Sequence, residues 1–229
     1  PCSKNRRNIV NFEKEMTATL NEAIEKVKQT EFCRSLMSGE NAKEIYKSYL
    51  YHAYHYVINT AGFTPLAARR MSREYVRIRK WVLEHSGEEM GHELMALRDL
   101  QILGVDSNDV VQGEIPIGVT AWMSFFHFKV AQANPWSMFG VLYFLEGMAQ
   151  SLAPALLAPI AQSLNEDEKK AISFFREHGE LDHDHMQEQE ALLFSTKISE
   201  DDQQAILSTI KEAAEIKVFM LNTLMRDLK

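Results

Sequence analysis

Apolar residues recur every three or four positions along almost the whole chain, and polar residues fill the positions between them. The N-terminal segment shows this plainly, because Phe12, Met16, Leu20 and Ile24 fall on one stripe within residues 9–30. That spacing places side chains on one face of an α-helix. No segment of useful length alternates between apolar and polar residues as a half-buried strand does. The pattern therefore predicts an all-α fold.

Breaks in this pattern divide the chain into further helices. A helix at about 41–60 should end at the glycine and proline of segment 62–65. A long helical region should follow from about 66 to 103, bent near 86–87 and terminated by Gly104. The remaining helices are expected at about 119–134, 135–152, 166–194 and 199–227. No internal repeat or long linker separates these segments, so we predict a single helical domain over the whole chain, 1–229.

Composition and charge exclude several classes of protein. The hydrophobic and charged fractions, 45% and 25%, are those of an ordinary globular protein. A net charge of −7 argues against general nucleic-acid binding. The basic cluster within 69–80 is interpreted as the polar face of a half-buried helix. The most apolar stretch, 136–164, is interrupted by Glu146 and by Pro154, which favours a core helix followed by a broken connection over a membrane span.

The two cysteines, Cys2 and Cys33, form neither a disulfide framework nor a CxxC pair. With no signal peptide recognised, this usage favours a reducing, cytoplasmic location. The sequence begins with Pro1, which leaves processing or truncation open.

The segment REHGELDHDHMQEQE, residues 176–190, carries the most informative chemistry. His178, Asp182 and His185 lie at i, i+4 and i+7, so in a helix they share one face. Imidazole and carboxylate ligands in this arrangement suit half of an iron site. His183 is out of phase with this stripe. Taken alone, the segment would suit a solvated helix equally well.

Two other segments offer ligands for the second half of the iron site. Glu89 and His92 are at i and i+3, the Glu-x-x-His spacing of carboxylate-bridged di-iron bundles. Glu88 and His85 share that face and are alternative ligands. Glu146 is a lone glutamate in an apolar run, and a buried carboxylate must be paired or bound to metal. Each segment alone also suits a surface pair or a buried hydrogen-bonding residue, but their joint occurrence favours a metal centre.

Three carboxylates and three imidazoles from three helices would hold two ferrous ions through one bridging carboxylate. Open positions would remain for O₂ and a substrate. A structural zinc site is disfavoured, because it needs four closed ligands and the chain has no usable cysteine.

At these residues the chain resembles the haem-oxygenase-like di-iron oxidase and oxygenase family, within the superfamily of TenA/THI-4 and PqqC-like proteins. The similar segments are YLYHAYHYV at 49–57, EEMGHE at 88–93, FGVLYFLEG at 139–147 and HGELDHDH at 178–185. The resemblance implies a bundle of about seven helices and a labile non-haem di-iron centre that activates O₂. The ligands it implies are Glu89, His92, Glu146, His178, Asp182 and His185, with Glu88 and His85 as alternatives for the first position.

Other activities on the same fold fit the sequence less well. A TenA-like thiamin-degrading enzyme would need a nucleophilic cysteine in a mid-chain helix, where this chain has none. A true haem oxygenase would need an axial histidine in its first helix, and no histidine precedes His52. A non-catalytic interaction protein would leave the metal-ligand pattern unexplained.

The expected function is an O₂-dependent non-haem di-iron oxidoreductase with two Fe ions, acting on a small organic acid, amine or amino-acid-like substrate. Its partners would be O₂ and that small molecule, with no nucleic acid or membrane, and a homodimer stays open. Tyr54 and Tyr143 are candidate catalytic phenols, and Phe125, Phe144 and Tyr54 are expected to line the pocket. If the substrate is anionic, a cation must reach the pocket. The candidates are Arg69, Arg73, Arg176 and Lys129.

Overall fold

The computed structural model describes the backbone of residues 2–229 and the side chains of residues 10–178 and 184–229. Within this part all regular structure is helical, which confirms the predicted all-α class. The helices are α1 Cys2–Lys28, α2 Glu31–Ser38, α3 Ala42–Arg70, α4 Val76–Glu88, α5 Glu93–Ile102, α6 Ser107–Val111, α7 Ile117–Ala131, α8 Ser137–Ser163, α9 Ser173–Phe194 and α10 Glu200–Asp227.

The expected break at 62–65 is wrong, because α3 continues through Pro65 to Arg70. A proline inside a helix leaves the carbonyl four residues earlier without its usual donor. Here that carbonyl is Ala61 O, and Ser86 Oγ on α4 donates to it at 2.6 Å. A tertiary contact thus supplies the missing hydrogen bond, and it docks α4 against α3.

The long helical region expected over 66–103, with only a bend near 86–87, is also wrong. The chain leaves α3 at Arg70, forms α4, and then turns at residues 89–92 before α5. Gly91 has a φ of 96°, a left-handed conformation that glycine adopts at little cost. Gly104, with a φ of 81°, follows the end of α5 as predicted.

Three other boundaries differ from expectation. The connector at 105–116 contains the short α6, whose N-cap Asp106 accepts a hydrogen bond from Asn108 N at 2.7 Å. Residues 165–172 form turns, so α9 begins later than predicted. α8 runs through Pro154 and Pro159 to Ser163, because Leu156 and Ile160 keep this end buried in the core.

α8 is the central helix and packs against α1, α2, α3, α7, α9 and α10. Close packing on α10 depends on Gly140, where an added Cβ would lie 2.5 Å from Ile206 O. By length and composition alone α8 could also cross a membrane, and 56% of its most apolar window is buried inside the fold. Such burial is typical of the core helix of a globular fold.

A buried carboxylate joins the helices around the start of α9. Asp99 on α5 is fully buried and accepts hydrogen bonds from Tyr46 Oη at 3.1 Å, Ser173 Oγ at 2.6 Å and Phe174 N at 2.9 Å. Burial raises the pKa of Asp99, although the three hydrogen bonds act to lower it. The network fixes the first turn of α9 relative to α3 and α5.

Replacing Asp99 with alanine should destabilise the protein by roughly 3 kcal/mol or more, because it leaves buried donors without an acceptor. Thermal unfolding of the variant measures this loss. Asp201→Ala, at an exposed position in the first turn of α10, is the matched control and should change stability by less than about 1 kcal/mol. Equal melting temperatures for the two variants would contradict a structural role for the network.

Candidate metal centre

Three neighbouring elements bring the predicted ligands together. α4 supplies His85, and the turn that follows it supplies Glu89 and His92. α8 supplies Glu146, which is only 5% exposed in an otherwise apolar stretch. α9 supplies His178 and, two turns later, His185.

The ligand atoms form two groups that share one residue. His85, Glu89 and His185 make up one group, and Glu89, His92 and His178 the other. Within each group the nitrogen and oxygen atoms lie within 4.8 Å of one another. Glu89 is the common member.

The two carboxylate oxygens of Glu89 face different histidines. Oε2 lies 3.3 Å from His92 Nδ1, and Oε1 lies 3.6 Å from His185 Nδ1. A carboxylate that presents one oxygen to each of two adjacent ligand groups has the arrangement of a bridging ligand. Glu89 and His92 stand at the two ends of the turn at 89–92, a little after the bend expected near 86–87.

Glu146 extends the first group through its contact with His85. His85 Nε2 lies 3.5 Å from Glu146 Oε1, and both side chains are almost completely buried. The ring of Trp81 stacks on His85 at a centroid distance of 4.8 Å. The alternative carboxylate, Glu88, lies 3.4 Å from His185 Nε2, but its side chain is 59% exposed. The structure thus places Glu89 between the two groups and Glu88 at their edge.

A hydrogen bond fixes the orientation of His178. Its Nδ1 lies 2.8 Å from the carbonyl oxygen of Phe174, one turn earlier on α9. With Nδ1 donating to this carbonyl, Nε2 is left with its lone pair, as a metal ligand requires. Phe174 N is held by Asp99, so the buried network at the start of α9 supports the position of this imidazole.

Burial and charge set the protonation of the cluster. Burial lowers the pKa of His85 to about 4 and also lowers the pKa of His178, which keeps both rings neutral. Burial acts to raise the pKa of Glu89, but its hydrogen bond to His92 and the surrounding imidazoles lower it overall. The neutral His85 and His178 rings and the ionised Glu89 carboxylate are the forms that bind metal. Glu89 instead raises the pKa of His92, so a metal ion there competes with a proton.

Two predicted positions cannot be placed at the side-chain level. Asp182 lies on α9 between His178 and His185, and His183 follows it, but both side chains fall outside the described part of the chain. The role of Asp182 as a ligand therefore stays a prediction.

The cluster opens into an apolar cavity with about 870 Å³ of empty space, its mouth included. His85, Glu89, Glu146 and His178 line one part of it. The rest is mainly aliphatic and aromatic, with residues such as Val57, Leu142, Leu152, Phe174 and Leu221.

Several residues expected at the cavity lie elsewhere in the described structure. Neither Tyr143 nor Tyr54 is part of the described lining. Tyr143 instead donates to Glu190 Oε1 at 2.7 Å, and Tyr54 packs on the ring of His55. The tyrosines in its lining are instead Tyr49 and Tyr56. Phe125 and Phe144 are also absent from the described lining.

None of the four basic candidates lines the described cavity either. They are Arg69, Arg73, Arg176 and Lys129, of which Lys129 forms an ion pair with Glu212 at 2.5 Å. The cation that does line it is Lys217 on α10. The sequence carries a sign of its burial, because the positions three and four residues on either side are all apolar: Ala213, Ala214, Met220 and Leu221.

Residues 47–218 match a family described as iron-containing redox enzymes. The match covers well over half of the chain. This chain belongs to that family of iron-containing redox enzymes. No protein of curated function matches the sequence closely enough to serve as a relative.

Solved structures share the fold across almost the whole chain. A domain of unknown function with a haem-oxygenase-like fold from Shewanella denitrificans has a TM-score of 0.83 and 20% identity, and the alignment covers 96% of this chain and 92% of that one. A TenA homologue from Pseudomonas syringae has a TM-score of 0.76 and 14% identity, with 94% and 93% covered. A TenA homologue from P. horikoshii has a TM-score of 0.75 and 12% identity, with 94% and 98% covered.

At such identities these structures show the fold alone. They confirm the predicted haem-oxygenase-like, TenA-like helical bundle. The family match adds that members contain iron.

The described residues fit iron. Imidazole nitrogen and carboxylate oxygen are donors that suit a non-haem iron site. Nδ1 of His185, which faces Glu89 Oε1 at 3.6 Å, is buried without a hydrogen-bond partner in the described part of the chain. A buried polar atom without a partner is costly, and metal ligation would satisfy it.

Proposed function

We propose that this protein is an O₂-activating non-haem di-iron oxidoreductase acting on a small organic acid, amine or amino-acid-like substrate. The observation that carries the proposal is Glu89, whose two oxygens face the histidines of two adjacent ligand groups. One iron would be held by His85, Glu89 and His185, with Glu146 beside it. The second would be held by Glu89, His92 and His178.

Two ferrous ions held by these residues would supply the electrons for O₂ reduction, and the chemistry available at the site would be oxidation of C–H, N–H or C–C bonds of the substrate. The protein's own residues do the positioning. The hydrogen bond from His178 to Phe174 O fixes one imidazole, and the stacked Trp81 ring restricts another, that of His85. The aliphatic cavity wall keeps bulk water from the reacting atoms.

A TenA-like thiamin-related activity is the alternative on this fold. It would need a reactive thiol at the cavity. Cys33 on α2 is fully buried, does not line the described cavity, and has a pKa raised by burial. A raised thiol pKa disfavours the nucleophilic thiolate. Within the part of the chain whose side chains are described, the burial of Cys33 supports the iron-dependent proposal over a cysteine-dependent one.

Anaerobic loading with Fe(II) should give about two irons per chain, and the loaded protein should consume O₂ with a transient visible absorption. Metal analysis and stopped-flow spectroscopy measure the two results. Zn(II)-loaded protein is the control and should consume no O₂, because zinc has no accessible redox change. Uptake of no more than trace iron would contradict the proposal and favour a TenA-like or non-catalytic interaction protein.

A further inference from the structure

Lys217 has an unusual environment for a lysine. Its side chain is fully buried, and its Nζ has no hydrogen-bond partner in the described structure. Two aromatic rings lie close to the ammonium, with Nζ 4.1 Å from the centroid of Tyr56 and 4.3 Å from that of Trp122. The ring faces attract the positive charge, but they do not accept hydrogen bonds from its three N–H groups as a carboxylate does.

The same residue lines the cavity that holds the metal cluster. Lys217 on α10 and Glu89 and His178 of the cluster are part of one lining, and most of the remaining surface is apolar. The described lining of the cavity therefore combines the candidate metal cluster, an apolar wall and one buried cation. No carboxylate in the described part of the chain forms an ion pair with that cation.

We propose that Lys217 is the specificity-determining residue of this cavity, where its ammonium group binds the carboxylate of a substrate with an otherwise apolar body. This role of Lys217 would narrow the substrate class from acid, amine or amino-acid-like compounds to apolar monocarboxylates. An unpaired buried ammonium is costly, and a ligand carboxylate offsets that cost with charge-assisted hydrogen bonds. An amine would meet like charge, and an alcohol would leave the ammonium without a counter-ion.

Because the substrate's apolar body would extend from Lys217 along the aliphatic wall, the carboxylate would determine which part of the molecule reaches the cluster. The role of Lys217 in substrate recognition rests on the proposed oxidoreductase function. Binding itself requires only the cavity and Lys217, so it can be measured with and without iron.

The test compares full-length wild-type protein with Lys217→Met, using octanoate, octanol and octylamine and the matching phenylpropyl acid, alcohol and amine. Calorimetry should show that the wild type prefers the acids to the alcohols by about 10- to 100-fold, the size expected for hydrogen bonds to a charged group. In Lys217→Met, affinity for the acids should fall by a similar factor, while affinity for the alcohols should be unchanged or higher. Lys211→Met, at an exposed position on the same helix, is the control and should keep the wild-type preference.

Iron content separates this inference from the proposed function. Lys217→Met should take up as much iron as the wild type, because Lys217 belongs to neither ligand group. Loss of acid preference with normal iron content supports the role of Lys217. A carboxylate preference in protein that takes up no iron would overturn the di-iron proposal and leave the binding role of Lys217 standing. Equal affinity for acids and alcohols in the wild type, no binding of any probe, or acid binding unaffected by Lys217→Met would overturn the inference.

Discussion

Glu89→Ala is expected to lose both irons, so that metal content falls from about two per chain to well below one. Glu89 is the residue shared by the two ligand groups, and its oxygens lie 3.3 and 3.6 Å from histidine nitrogens of different groups. Removing it takes one of the three ligands that the described residues offer in each group. Mutations of residues that merely support a ligand already cost about 10- to 100-fold in metal affinity. The loss of a bridging carboxylate should exceed that.

The controls come from neighbouring glutamates. Glu84→Ala removes a carboxylate one turn earlier on α4 that pairs with Lys80 at the surface, and it should leave iron content unchanged. Glu88→Ala should weaken metal binding only modestly, because its side chain is largely exposed and reaches His185 alone. Metal analysis after anaerobic loading distinguishes these outcomes. Full iron content in Glu89→Ala, or loss of both irons in Glu88→Ala instead, would show that the bridging role was assigned to the wrong residue.

Helical periodicity predicted the all-α class because it is local and recurs along the chain. The errors lie where a tertiary contact overrides a local rule. Pro65 should end α3, yet Ser86 Oγ satisfies the carbonyl that the proline leaves without a donor. Such a partner lies 25 residues away in sequence, as the separation of this hydrogen bond shows. No pattern within a short window can reveal it.

The candidate site was easier to predict where ligands share one helix. His178 and His185 follow helical spacing, and the structure brings them to the same cluster as expected from the sequence. Glu89 and His92 also meet there, but through the turn at 89–92 rather than along a helix. His85 lies one helical turn before Glu89 and belongs to the first ligand group, a position that the sequence offered only as an alternative.

Lys217 was missed because lysine is normally read as a surface residue. Its apolar neighbours at three and four residues on either side place it on the buried face of α10. The three arginines and one lysine predicted instead lie near the ligand segments in sequence. Proximity in sequence is a poor guide to which side chains face a cavity. A charged residue in phase with a buried stripe is the sign that would have identified it.

Lys217→Met is expected to stabilise the metal-free protein by on the order of 4 kcal/mol at neutral pH. Burial lowers the pKa of Lys217 to about 7 in the folded protein, against about 10.5 when unfolded. A lowered lysine pKa means that the unfolded chain binds the proton more tightly, so the charged side chain opposes folding. This loss of wild-type stability is complete below about pH 7 and disappears as the pH rises towards 10.5. Methionine fills a similar volume without the charge.

The measurement is chemical or thermal unfolding of the metal-free proteins across pH 6 to 10, with Lys211→Met as the exposed control. Wild-type stability should approach that of Lys217→Met as the pH rises, whereas the control should follow the wild type throughout. Among the groups near the ammonium, burial lowers the pKa of His52, and the charge of Lys217 acts in the same direction. If Lys217→Met is no more stable than the wild type at pH 7, a counter-ion already pairs with the ammonium. The cavity would then have no unpaired cation to offer a substrate carboxylate.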